Sequence, residues 1–124
     1  MRVESYWNLH KHVFSIRALE GEQQGRVIEH VSHKTLHDVT FAVQPAGRAK
    51  VLREQRKNVH AFVRGTTEGL TAIAPASEWE KISYNPYKNE QFVNENGHPV
   101  TQAECVKLTT TNTGRTCIVA WKCR

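Results

Sequence analysis

Alternating apolar and polar residues dominate the first third of the chain, and this alternation predicts β-strands. The predicted strands lie at residues 3–9, 12–18, 26–31 and 36–43. A polar segment bracketed by glycines, residues 20–25, separates the second strand from the third. Because the strands and their connections are short, they favour an antiparallel meander over a parallel sheet.

The alternation stops at Pro45, and residues 46–57 are rich in helix-forming side chains. Pro45 suits the first turn of a helix, where its missing N–H loses no hydrogen bond. Val51, Leu52 and Gln55 form a narrow apolar stripe, and charged side chains share the opposite face. Gly47 is expected to weaken the first turn by roughly 1 kcal/mol relative to Ala. We predict one amphipathic helix that ends near Asn58.

The second half of the chain returns to strand patterns. Residues 59–65 predict a strand, residues 66–76 a loop or an edge element, and residues 77–80 a short helical turn. Residues 83–96 mix aromatic side chains with asparagines and predict an ordered surface loop rather than core. Residues 105–110 and 115–123, joined by residues 111–114, predict a C-terminal β-hairpin. The fold class is therefore α+β, mainly antiparallel sheet with one amphipathic helix, in a single domain of residues 1–124.

The composition narrows the class of protein. Of the 124 residues, 39% are hydrophobic and 23% charged, which is ordinary for a globular domain. No apolar run approaches the ~20 residues of a membrane span, and the N-terminus lacks the apolar region of a secretory signal. We therefore expect a cytoplasmic protein. Its three cysteines, Cys105, Cys117 and Cys123, are expected to be free thiols, and no metal site is expected because their spacing matches no zinc pattern.

Positive charge is concentrated in residues 44–65. This segment contains six of the Lys and Arg residues and one acidic residue, Glu54, whereas the whole chain carries a net charge of +5. A concentrated basic surface attracts phosphate groups. Those phosphates belong to a polymer, to a small nucleotide or only to ions from solution, and the segment alone leaves all three open.

Two groups of residues are candidates for recognition of a nucleotide. At the junction of helix and strand, Arg56 is suited to two hydrogen bonds with a phosphate, and Asn58 to a base edge or a ribose hydroxyl. In the loop, Tyr84 and Phe92 are candidates for stacking on bases, worth ~1–3 kcal/mol each. Asn94 provides the donor and acceptor that an adenine edge needs. The alternatives are a solvated helix face and a loop packed by its own aromatic rings.

Two arginines each follow a predicted turn. Arg26 and Arg115 are either rim residues directed at a ligand or solvated turn residues.

The chain has no phosphate-binding P-loop, and spacing alone reveals no Ser-His-Asp or Cys-His pair. These observations favour a binding protein over an enzyme, with no cofactor.

Residues 6–17, 46–65 and 84–93, which read YWNLHKHVFSIR, AGRAKVLREQRKNVHAFVRG and YNPYKNEQFV, resemble the phage-encoded Thoeris anti-defence protein 1 family. The similarity runs from Tyr6 to about Val106. It implies a non-enzymatic protein that traps cyclic ADP-ribose isomers made by host TIR-domain proteins, and so keeps a downstream effector inactive. It also implies symmetric oligomers, from dimers to hexamers, with nucleotide sites between protomers. Some members bind cyclic oligonucleotides in separate pockets.

The resemblance implies roles for particular residues. Arg56 and Arg115 take the phosphate roles, and the adenine-side roles fall to Tyr84, Phe92 and Asn94. Arg26 and Thr71 are candidates for a second pocket. The expected function is a phage sponge that sequesters cyclic ADP-ribose isomers, or cyclic oligonucleotides, in the cytoplasm of the bacterial host.

An effective sponge must bind its ligand more tightly than the effector does. That requires a Kd of roughly nanomolar, about −12 kcal/mol. A pocket enclosed between two subunits achieves such affinity more readily than an open surface, so we expect a homo-oligomer. The alternative functions are a small basic nucleic-acid-binding protein and a phage inhibitor that covers a host enzyme.

Overall fold

The computed structural model describes residues 1–111 and 113–124, which form an eight-stranded antiparallel sheet with one α-helix. The strands are β1 (Arg2–Asn8), β2 (Val13–Ala18), β3 (Val27–Val31), β4 (His33–Val43), β5 (Ala61–Thr66), β6 (Trp79–Ile82), β7 (Gln102–Thr110) and β8 (Thr116–Trp121). Helix α1 (Pro45–Glu54) connects β4 to β5, and a short 3-10 helix (Ala76–Glu78) precedes β6. The α+β class dominated by antiparallel sheet is therefore confirmed. Within the described residues, no helix is long and apolar enough to cross a membrane.

The order of strands across the sheet is β3-β2-β1-β5-β4-β7-β8-β6. Strands β1 to β3 do form a meander, but the free edge of β1 pairs with β5, and β4 pairs with β7. The predicted antiparallel pairing is therefore confirmed, and the meander holds for β1 to β3 but not for β4, which pairs with β5 and β7. Alternation along the chain shows which residues are buried, but it does not show which distant strand completes the hydrogen bonding at each edge.

The core lies inside the curve of this sheet, where β1, β2 and β5 face β6 and β8. Fully buried members include Val3, Ile16, Leu36 and Leu108. The turn before β8 also approaches the β1–β2 turn, since a Cβ added at Gly114 would lie 3.8 Å from the Nδ1 atom of His12. The curvature thus brings the two flanks of the sheet together around a common interior.

The segment 83–96 differs from the predicted surface loop. Phe92 is 5% exposed and belongs to the core, and Val93 is also buried. Backbone hydrogen bonds of 3.0 and 2.9 Å between Ser83 and Val93 turn this part of the segment inward. Asparagine-rich composition predicts a loop, but it does not predict that a local bridge directs two apolar residues into the core.

The C-terminal strands pair in antiparallel register from Cys105 opposite Trp121 to Thr110 opposite Thr116. The predicted connecting turn, residues 111–114, includes Asn112, which lies outside the described residues. Strand β6 pairs with the other edge of β8. The sequence had predicted a helical turn at residues 77–80, which overlaps the start of this strand. That prediction is wrong beyond Glu78, because edge pairing with β8 extends the backbone from Trp79 onward.

Helix α1 begins at Pro45 as predicted but ends at Glu54, before the end predicted near Asn58. Gln55 adopts left-handed backbone angles (φ 53°, ψ 35°), and its N–H donates to the carbonyl of Val51. Of the predicted apolar stripe, Val51 is buried, but Leu52 remains exposed. Because the helix stops early, residues 56–60 form a connection without regular secondary structure, and β5 begins at Ala61.

Gly47 allows the helix to pack directly against the residue that precedes β5. A Cβ atom built on Gly47 would lie 2.5 Å from the Cβ atom of His60, which is closer than such atoms approach in proteins. Gly47 therefore has a packing role in addition to its expected effect on the first turn. The absence of a side chain at this position sets the distance between α1 and His60.

The three cysteines are free thiols in the structure. Cys105 is buried in β7, whereas Cys117 and Cys123 are partly buried. Burial, together with the nearby carboxylate of Glu80, raises the pKa of Cys123 to about 12. Cys123 is therefore protonated at neutral pH.

The Gly47–His60 contact predicts an unusual response to a helix-favouring substitution. We expect Gly47→Ala to lower the free energy of unfolding by about 1–3 kcal/mol, because the added methyl group forces α1 away from His60. Chemical denaturation measures this change. Ala46→Gly, an exchange at the exposed neighbouring position, is expected to cost at most about 1 kcal/mol through helix propensity alone. A stabilised Gly47→Ala variant would show that the close contact does not exist.

Candidate functional site

The helix–strand junction and the aromatic loop, two separate segments of the chain, meet in one pocket of about 570 Å³. We call it the aromatic pocket. Its apolar walls come from β1, α1 and both segments: Tyr6, Trp7, Leu9, Val51, Val59, Ala61, Tyr84, Pro86 and Tyr87. Its polar members are Gln55, Lys57, Asn58, His60 and Asn85.

His60 positions the junction side of the pocket. Its Nδ1 atom lies 2.8 Å from the carbonyl oxygen of Asn58, and its Nε2 atom lies 2.7 Å from the hydroxyl of Tyr84. Because a carbonyl only accepts, Nδ1 carries the proton in the neutral ring, and Nε2 accepts the hydrogen bond from Tyr84. One buried imidazole therefore joins the junction backbone to the loop.

The loop side is fixed by hydrogen bonds to the helix and within the loop. The Nε atom of Arg48 donates to the carbonyls of Pro86 (3.1 Å) and Asn89 (3.0 Å). The side-chain oxygen of Asn85 accepts from the N–H of Tyr87 at 3.0 Å. This turn leaves Tyr87 at the rim with 60% of its surface exposed.

Aromatic rings line the pocket and are supported from behind by other rings. Tyr84 packs against Phe92 with ring centroids 5.3 Å apart, and Phe92 packs against Phe41 at 5.1 Å. On the opposite side, Trp7 meets the ring of Phe14 edge to face at 5.4 Å. Rings held in this way offer flat, preformed surfaces for a planar ligand.

The electrostatics of the pocket combine one cation with several neutral polar groups. Burial raises the pKa of the Tyr84 hydroxyl, and the positive charge of Arg48 offsets part of this rise. Tyr84 is thus a neutral donor at physiological pH, and its proton is engaged by His60. Lys57 supplies a positive charge at the exposed rim, and the amides of Asn58 and Asn85 supply donors and acceptors. The arrangement is suited to a planar, polar ring system attached to an anionic group.

Of the residues predicted from the sequence, Asn58 and Tyr84 line the aromatic pocket. Arg56 is exposed and lies between two lining residues without itself forming the wall. Phe92 supports Tyr84 from the core rather than facing this pocket. Of these four residues, two therefore lie in the pocket wall, Arg56 lies beside it, and Phe92 lies behind it.

The remaining predicted residues lie elsewhere. The side-chain oxygen of Asn94 accepts from the N–H groups of Asn96 and His98, both at 3.0 Å, so Asn94 shapes its own turn. Arg115 is exposed before β8, and its N–H donates to the side chain of Thr111. Arg26 and Thr71 are exposed, and neither lines the aromatic pocket.

Sequence reasoning missed the contribution of β1 and of His60. Tyr6 and Trp7 are consecutive and so point to opposite faces of β1, yet both line the pocket where the strand ends. The tandem aromatic pair was the available signal, although it reads equally well as ordinary strand composition.

Within residues 1–111 and 113–124, no group of three or more His, Cys, Asp or Glu side chains is arranged to hold a metal ion.

The raised pKa of Tyr84 predicts how the pocket responds to alkaline pH. A raised pKa in the folded state contributes stability below the ordinary tyrosine pKa, and this contribution is lost as pH rises through the raised value. We expect the absorbance difference between the wild-type protein and Tyr84→Phe to titrate above the ordinary tyrosine range. The same difference measured in urea should titrate within that range. Equal titration in the folded and unfolded proteins would contradict the burial of this hydroxyl.

Comparison with known proteins identifies a family and a relative that are both named after a phage gene product. A family described as Mycobacterium phage L5 gene 82 protein matches residues 1–115. The gene 82 protein of Mycobacterium phage L5 is 43% identical over 102 residues, covering 77% of this chain and 79% of that relative. No solved structure matches the chain. The chain belongs to the family of the Mycobacterium phage L5 gene 82 protein.

Proposed function

We propose that this protein binds a small purine nucleotide with a diphosphate group, of the cyclic ADP-ribose class, in the aromatic pocket and holds it unchanged. The observation that carries the proposal is the meeting of the helix–strand junction with the aromatic loop. Asn58 and Lys57 come from one segment, Tyr84 and Tyr87 from the other, and all four line one pocket.

The pocket has the size and the chemistry for such a ligand. Its volume of about 570 Å³ falls within the range of roughly 300–1,000 Å³ that small-molecule sites occupy. Tyr84 and Trp7 offer stacking surfaces for a base, each worth ~1–3 kcal/mol. Lys57 offers a cation for the diphosphate. The amides of Asn58 and Asn85 are suited to ribose hydroxyls or a base edge.

Exposed apolar side chains at the rim support an assembly that closes the pocket. Leu9, Val59 and Tyr87 are exposed large hydrophobic residues, and all three line this pocket. Covering them with ligand and with a second protomer removes apolar surface from water. The proposal therefore includes a homo-oligomer, from dimer to hexamer, in which each pocket is closed by a neighbouring subunit.

The phage origin of the relative supports the biological setting. The relative is a gene product of a mycobacteriophage, and a phage protein that binds a host signalling nucleotide without cleaving it lowers the free concentration of that signal. We propose that the protein acts in this way in the cytoplasm of the bacterial host, blocking nucleotide-based immunity of the Thoeris type. The resemblance of residues 6–17, 46–65 and 84–93 to anti-defence sponges motivates the choice of ligand class.

Substitution of Lys57 tests the proposed phosphate contact. Titration calorimetry with cyclic ADP-ribose isomers should show binding by the wild-type protein, with affinity reduced about three- to tenfold in Lys57→Ala because the rim charge is partly solvated. Lys50→Ala removes the same charge from an exposed helix position outside the pocket and should bind like wild type. Equal losses in both variants would indicate attraction to the whole basic segment instead.

A second measurement separates sequestration from the alternative functions. At a ligand concentration a thousand times Kd, thermal unfolding should report stabilisation of about 4 kcal/mol, and denaturation should release the ligand unchanged. Recovery of a cleaved product would reject the sponge. Binding that strengthens with polymer length and weakens steeply with salt would indicate a nucleic-acid-binding protein. Copurification with a host enzyme, in the absence of nucleotide binding, would indicate a protein inhibitor.

A further inference from the structure

A second, smaller cavity of about 300 Å³ lies beside the aromatic pocket and extends into the fold. We call it the inner cavity. It shares Tyr6, Trp7, Ala61 and Tyr84 with the aromatic pocket, so the two spaces adjoin at these residues. The rest of the inner cavity lies between β1 and β5 on one side and β6 and β8 on the other. The curvature of the sheet creates it.

The walls of the inner cavity are mainly apolar and partly aromatic. Phe14, Val63, Ile82, Phe92 and Ile118 line it together with the shared Trp7 and Tyr84 rings. Lys81, Ser83 and Thr116 also line it, and all three are exposed, so they mark an outer end of the cavity rather than its interior. The interior therefore suits a flat, uncharged ring system.

One polar side chain stands in this interior without a hydrogen-bond partner. Ser5 is 1% exposed, and its hydroxyl has no hydrogen-bond partner among the described residues. Its neighbours on the adjacent strands, Ile16 and Val63, are both apolar. A buried hydroxyl without a partner destabilises a fold by about 1–3 kcal/mol, and Ala would avoid that loss in the same space.

Another buried serine shows that the fold does satisfy such hydroxyls elsewhere. Ser15, on the neighbouring strand β2, is fully buried. Its hydroxyl lies 3.1 Å from the side-chain nitrogen of Asn8 and 3.0 Å from Nδ1 of His30. Of these two buried serines, only Ser5, which borders the inner cavity, has a hydroxyl without a hydrogen-bond partner.

We infer that the inner cavity is the base subsite of the nucleotide site, and that binding displaces the side chains that cover the hydroxyl of Ser5, so that this hydroxyl hydrogen-bonds to a polar edge of the bound purine. This inference rests on the proposed function. The purine enters past Trp7 and Tyr84, whose rings line both spaces. The ribose and the diphosphate remain in the aromatic pocket, where Asn58 and Lys57 lie. The base is thereby stacked between apolar walls, and the charged groups stay near solvent.

This assignment predicts opposite effects of Ser5→Ala on the free and bound protein. Without ligand, the variant should be as stable as wild type or more stable, because an unpaired buried hydroxyl has been removed. Its affinity for adenine and for cyclic ADP-ribose should fall roughly five- to tenfold, the equivalent of one lost hydrogen bond. Ser15→Ala, the matched control, should lose stability while binding both probes with wild-type affinity.

The two probes separate failure of this subsite from failure of the proposed function. Adenine binding that depends on Ser5, without binding of cyclic ADP-ribose, would support the subsite and reject the proposed nucleotide. Cyclic ADP-ribose binding that is weakened by Lys57→Ala but unchanged by Ser5→Ala would support the proposed function and overturn the subsite. Failure of the wild-type protein to bind either probe would overturn both.

A second substitution tests the location of the subsite without changing a polar group. Ile118→Phe enlarges a side chain that lines the inner cavity but not the aromatic pocket. It should abolish adenine binding by occupying the space, whereas wild-type affinity for adenine in this variant would overturn the assignment. Circular dichroism and thermal unfolding establish that the variant is folded before affinities are compared.

Discussion

His60 is the residue on which the geometry of the candidate site depends. It is 5% exposed, and its Cβ atom lies 2.5 Å from the place that a Cβ atom at position 47 would take. Its two ring nitrogens bind the carbonyl of Asn58 and the hydroxyl of Tyr84. A buried imidazole keeps both hydrogen bonds only if helix, strand and loop are all in place. Each of these elements is therefore positioned relative to the other two.

The same network explains why the walls of the pocket are preformed. Arg48 joins α1 to the loop through two backbone carbonyls, and Tyr84 continues into the core through Phe92 and Phe41. A ligand that meets rings already held in position loses less entropy on binding than one that must order them. Preformed walls would favour the proposed sequestration, because a protein that only holds its ligand depends on affinity. The exposed rim at Tyr87 is the part of the pocket that ligand and a second protomer would complete.

Two positions depart from what local preferences favour, and both lie at the site. Gly47 occupies a helical position where Ala has the higher propensity, and Ser5 occupies a buried position where an apolar residue satisfies its surroundings better. The first departure has a structural reason, because it allows α1 to contact His60. The second has no partner within the described fold, which is why we assign it to a ligand. Departures of this kind concentrate at functional sites.

The sequence by itself determined the strands of the first 43 residues, the start of the helix at Pro45 and the segments that supply Asn58 and Tyr84. These features follow from alternation, from the missing N–H of proline and from side-chain chemistry, all of which act locally. Only the tertiary structure decided that β1 pairs with β5, that Phe92 enters the core, and that Trp7, His60 and Ser5 border the cavities. It likewise placed Arg56, Asn94 and Arg115 away from the pocket walls. Strand partners and shared cavities are set by contacts between residues far apart in the chain, and no local pattern encodes them.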